Sequence, residues 1–118
     1  MGITVIQAKV FNPADPSRSG EVEFTVDSGA GYSLVPRMLL DQLGITPHTT
    51  KRFYLANGEG IDRQMGNIGF EYLGERVMAP VIFGEEGDAA LMGATTLENF
   101  GFVLDPFRRE LRPMSMRL

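Results

Sequence analysis

Apolar residues recur at every second position in several short runs, and glycine or proline separates the runs. Glu21-Val22-Glu23-Phe24-Thr25-Val26 alternates strictly, the pattern of a strand with one buried face. Residues 3–11 alternate more loosely and are rich in valine and isoleucine. Strands are also expected over 52–56, 61–72, 76–83, 102–104 and 110–114, with a short apolar run at 89–92. Asn57-Gly58 lies between two of these strands and is a strong signal for a tight hairpin turn. Leu73-Gly74 and Asp105-Pro106 mark further turns, and 12–20 and 84–88 read as loops from their glycine, proline and acidic content. Two short stretches have helical spacing instead. In 36–43, Pro36 suits the first turn, Leu39, Leu40 and Leu43 form one face, and Gly44 suits the C-terminal cap. Thr95-Thr96-Leu97-Glu98 has the form of a capping box, and Gly101 closes the second helix. The sum is a mainly β chain with many closely spaced strands, which points to a small barrel or sandwich.

The length of 118 residues suits one domain, 1–118, that buries a core without metals or disulfides. Hydrophobic residues make up 43% and charged residues 22%, ordinary values for a globular chain. Zero cysteines exclude a thiol nucleophile, a thiolate metal site and a disulfide scaffold. The single histidine, His48, excludes a multi-histidine metal site, so no metal or cofactor is expected. A serine nucleophile would depend on His48 as its base, and His48 follows Pro47 in a loop-like stretch. No apolar run approaches membrane-spanning length, and residues 1–9 lack a signal-peptide pattern. The expectation is a cytoplasmic protein without membrane contact. Residues 107–118 carry a net +3 from four arginines and Glu110, so within an overall −4 the rest carries −7. Such a tail can meet an anionic partner such as RNA. The acidic balance favours a solvated strand or a tail paired with the acidic body, and no nucleic-acid partner is expected.

The segment richest in chemistry is Phe24-Thr25-Val26-Asp27-Ser28-Gly29-Ala30-Gly31-Tyr32-Ser33-Leu34-Val35-Pro36. A half-buried strand delivers one acid into a turn of small residues. Asp27 either caps its own loop as an Asx-turn or serves as a carboxylate held for chemistry, with Gly29 allowing close approach. The triplet Asp-Ser-Gly is weak alone. It is stronger after an apolar strand and before Ala and then Ser-Leu-Val-Pro. Sixty-six residues beyond Asp27 comes Leu91-Met92-Gly93, followed by a short helix, with Leu104-Asp105-Pro106 near the end.

In that order of parts the chain resembles the retropepsin-like aspartic proteases, closest to their bacterial single-domain members. The resemblance spans roughly residues 3–114. It implies a closed β-barrel with a flap hairpin and one or two short helices. Asp27 would be the catalytic acid, Ser28 and Gly29 would support its loop, and no cofactor would be needed. Substrate would lie along Gly29, Ala30 and Gly31, under a flap at Ala56, Asn57 and Gly58, and against Leu91 and Met92. An ordinary exposed hairpin is the plainer reading of 52–72. Viral members carry a second Asp where this chain has Gly31, and an Arg where it has Ala94. Those differences imply another interface.

The chemistry of the family needs two facing carboxylates. Of the aspartates at 15, 27, 41, 62, 88 and 105, only Asp27 has the Asp-Ser-Gly setting. A two-fold homodimer with one Asp27 per chain would supply the pair. The function expected is therefore an aspartic endopeptidase acting on a polypeptide. The alternative is a non-catalytic peptide-binding or dimerisation domain on the same fold.

Overall fold

The computed structural model describes residues 2–118. In chain order the elements are β1 (Val5–Asn12), β2 (Asp15–Val26), β3 (Ser33–Pro36), α1 (Arg37–Gln42), β4 (Thr49–Tyr54) and β5 (Gly60–Tyr72). They continue with β6 (Glu75–Gly84), β7 (Leu91–Met92), α2 (Ala94–Phe100), β8 (Phe102–Asp105) and β9 (Glu110–Pro113). Alternation explains the first strands. Ile6, Ala8 and Val10 of β1 and Val22, Phe24 and Val26 of β2 are buried, while Val5, Gln7, Glu21 and Glu23 between them are exposed; Phe11 at the end of β1 breaks the alternation and is buried as well.

Seven strands pair in the order β1-β2-β7-β3-β6-β5-β4, and β1 also pairs with β5. That extra pairing closes a ring of six strands, with β4 attached outside it. Most rungs are antiparallel, but β2–β7 and β3–β6 are parallel. Strands β8 and β9 form a separate two-stranded sheet. Inside the ring, Phe24 and Phe70 meet at 5.9 Å, with Val10, Val35, Ile68, Val81, Phe83 and Met92 fully buried around them. Burying each such side chain stabilises the fold by about 1.5–3 kcal/mol. Among the described residues, no helix is long and apolar enough to cross a membrane.

Several local expectations change. Residues 12–20 are not a loop. The chain turns at Pro13-Ala14 and re-enters a strand at Asp15, with an irregularity beside Asn12. Asp15, Ser19 and Gly20 pair with Asn12, Phe11 and Val10 of β1 while the side chains of 15–19 stay exposed, so no hydrophobic period announces the strand. β4 starts at Thr49 and ends at Tyr54, earlier than residues 52–56 suggest. Pro36 is the N-cap of α1 rather than a first-turn residue. The capping box of Thr95 and Glu98 does not form, because the helix starts two residues sooner, with Gly93 as its N-cap and no side-chain cap. Gly44 and Gly101, at φ +78° and +77°, do terminate the two helices in left-handed conformation.

Candidate active site

Asp27 follows directly on β2, and backbone hydrogen bonds pin its position. Its N–H donates to the Met92 carbonyl at 2.9 Å, and the neighbouring Thr25 N–H donates to Ala90 at 3.1 Å. β7 therefore runs beneath the loop as a short parallel support. The loop turns tightly: Ala30 N–H donates to the Asp27 carbonyl at 3.1 Å, and Gly29 N–H donates to Asp27 Oδ1 at 2.9 Å. One carboxylate oxygen is thus oriented by its own loop. That is Asx-turn geometry, made through Oδ1. The two sequence readings of Asp27 are therefore compatible. Asp27, Ser28, Gly29 and Gly31 are exposed, and Ala30 is half-buried.

The next turns of chain are laced to the start of α2. Ala94 N–H donates to the Ala30 carbonyl at 2.7 Å, and Thr95 N–H to the Gly31 carbonyl at 3.0 Å. Gly93 fits between them because it has no side chain. A Cβ there would run into the Tyr32 carbonyl and lie 2.9 Å from the Ala30 oxygen. Beneath this seam, Ser33 Oγ and Thr96 Oγ1 share a hydrogen bond of 2.5 Å, and Gly93 N–H donates to Ser33 Oγ at 3.0 Å. Both hydroxyls are fully buried. These two residues join the first motif to the second, and the sequence reading did not single them out. Their signal is faint: a hydroxyl at an inward position of each motif.

The β4–β5 hairpin leans on the same loop. Phe53 meets the Tyr32 ring edge-on at 6.4 Å, and Lys51 Nζ lies 5.9 Å from that ring. At the tip, Ala56, Asn57 and Gly58 are exposed. Leu55 N–H donates to Glu59 at 2.8 Å, Gly58 N–H to Leu55 at 2.9 Å, and Glu59 N–H to Asn57 Oδ1 at 2.9 Å. Ion pairs tie the hairpin's far end to the 84–88 loop: Arg63 to Asp88 at 3.5 Å, and Arg37, which also reaches Gln64, to Glu85 at 2.8 Å. Leu91 is half-buried opposite Leu34, whereas Met92 is fully buried and reaches the site through its carbonyl.

The remaining aspartates are engaged elsewhere. Asp15 accepts from Ser17, Asp41 lies in α1, Asp62 pairs with Arg52, Asp88 with Arg63 and Asp105 with Arg112. His48 precedes β4, where its backbone N–H donates to Met65 at 2.9 Å. Among the described residues, no three histidine, aspartate or glutamate side chains cluster to hold a metal ion.

No family model and no curated protein sequence matches the chain. Solved structures do. The EIAV protease in complex with an inhibitor aligns at a TM-score of 0.63 and 10% identity, over 85% of this chain and 89% of that one. The simian foamy virus protease aligns at 0.56 and 19% identity, over 80% of this chain and 91% of that one. A retropepsin-like aspartic protease from Rickettsia conorii aligns at 0.54 and 24% identity, over 88% and 85%. At such identities the likeness speaks for the course of the backbone, and by that measure this chain has the retropepsin-like fold.

Proposed function

We propose that the chain is an aspartic endopeptidase, a single domain over 1–118, whose active site forms where two copies bring their Asp27 residues together. One observation carries the reading. Asp27 is an exposed carboxylate on a backbone-braced loop, one oxygen held by Gly29 N–H, with a hairpin leaning on the loop beside it. The alignments to proteases lend the fold-level support.

Two carboxylates about 3 Å apart cannot both ionise, so the pair shares one proton. The charged member takes a proton from the water held between them. The protonated member gives its proton to the carbonyl oxygen as the water attacks the peptide carbon. The tetrahedral adduct then collapses. The C–N bond breaks, a proton passes to the leaving amine, and the pair returns to its singly protonated state. Ser28 and Gly29 support the loop, and Gly29, Ala30 and Gly31 run along the substrate backbone. Ala56, Asn57 and Gly58 close over it as a lid that excludes water, and Leu91 borders the cleft. Met92 acts from below. The site calls for no cofactor, and its substrate is a polypeptide rather than a nucleic acid. A cytoplasmic setting is part of the proposal, in keeping with a cysteine-free composition.

A second reading, a peptide-binding or dimerisation domain without turnover, is favoured by Gly31 and Ala94. There the two segments meet through backbone hydrogen bonds alone. One experiment separates the two. Purified protein is expected to cleave an unstructured polypeptide, and Asp27→Asn to lower the rate by at least about a thousandfold while the circular dichroism spectrum is unchanged. Cleavage that survives the substitution would refute the peptidase reading, and tight peptide binding without turnover would establish the second.

A further inference from the structure

The surface around Asp27 is more apolar than the proposed chemistry uses. Val5 pairs with Thr25, and the Thr4 carbonyl accepts the Val26 N–H at 2.8 Å, so the N-terminal residues run beside the aspartate's strand. Ile3 and Val5 are nonetheless exposed. The Arg109 guanidinium stands where a side chain on Gly2 would be, which brings the β8–β9 turn onto the same face. Ser28 opens onto a groove of about 450 Å³ whose lining includes Leu97, Glu98, Val103 and Met114.

Phe107, in the β8–β9 turn, is 90% exposed. The turn that presents it is fixed. Asp105 Oδ1 accepts the N–H groups of Phe107 and Arg108 at 3.0 and 3.1 Å, and Oδ2 faces Arg112 at 3.4 Å. The Arg108 N–H, helped by Phe107 N–H and Arg112 and opposed by desolvation, holds the Asp105 carboxyl below its ordinary range, so the turn stays charged and locked at neutral pH. Single exposed apolar residues are ordinary. Here Ile3 and Val5 flank the residue bonded to Val26, Arg109 of the Phe107 turn reaches Gly2, and Val103 lines the groove together with Ser28. Charge points to what covers it: residues 107–118 carry +3, the rest of the chain −7, and Glu98 lies in the groove.

We propose that the occupant is a second copy of this chain: Phe107 of each copy seats in the other's groove beside Ser28, with Arg108 toward Glu98. The contact is reciprocal, as a two-fold axis requires. It rests on the reading of Asp27 as half of a two-chain site, and adds which surface makes the pair.

Sedimentation equilibrium tests it. The native chain is expected to be a dimer, and Phe107→Asp to weaken dimerisation by about 30-fold or more, the loss of a buried aromatic anchor. Because Phe107 is exposed, the variant should unfold at the same temperature as the native monomer. Leu73→Asp, at another exposed apolar site, in the β5–β6 turn, should leave the mass unchanged. A Phe107→Asp protein that dimerises normally overturns the proposal, and if it has instead lost binding to anionic lipid vesicles, the occupant is a membrane surface. A native chain that stays monomeric at every concentration overturns both this interface and the two-chain site. A native dimer that Phe107→Asp splits, yet that cleaves nothing, upholds the interface and refutes the peptidase reading.

Discussion

Asp27 and Gly58 each sit in a turn of small residues, yet their surroundings differ. The Asp27 loop is anchored from β7 and from the first turn of α2, with a buried hydroxyl pair underneath and no room for a methyl group at Gly93. The hairpin tip is held only by its own turn, and a Cβ on Gly58 would meet nothing within 4 Å. Its arms carry exposed polar residues and an exposed Arg52–Asp62 pair. One region is over-determined and the other is free to open, and such a division suits a site that must position an acid and still admit a chain.

Five substitutions test that contrast. Gly93→Ala should be the most damaging, since the added carbon collides with the Tyr32 carbonyl. A loss of about 3 kcal/mol in urea unfolding is expected, and a loss below about 1 kcal/mol would show that the seam yields. Ser33→Ala and Thr96→Val should each cost about 1–3 kcal/mol by orphaning a buried hydroxyl, while the double variant should cost less than their sum. Strict additivity in that cycle would mean that the two hydroxyls do not act together. Gly58→Ala strains a residue at φ +85° and should cost the tip about 1 kcal/mol. It should speed amide exchange at Gly58 while leaving β2 and β7 protected. Arg52→Ala removes a solvent-exposed ion pair and should change stability by less than about 0.5 kcal/mol.

The hairpin was the more legible of the two regions. Asn57-Gly58 between the strand-like runs 52–56 and 61–72 announces it, because a turn preference is a local property. Asp27 was legible as a motif. Its supports were not, because the Met92 carbonyl, the Gly93 gap and the Ser33–Thr96 pair arise only when distant segments meet. The Asp15–Val26 strand was half-hidden for a related reason: Asp15 and Ser19 pair with β1 on either side of an irregularity, while the side chains of 15–19 stay in water. The Thr95–Glu98 capping box does not form because Gly93, fitted against Tyr32, starts the helix two residues earlier.

The ring of strands closes through β7, two residues long, joined to β3 by the single Leu34–Leu91 rung. β7 lies in the last third of the chain, so the Asp27 loop waits for its support during synthesis. Contacts this distant in sequence form late, after the local hairpins. A partly made chain therefore presents Asp27 without its brace. The order of synthesis thus leaves the Asp27 loop unbraced until β7 and the first turn of α2 have emerged.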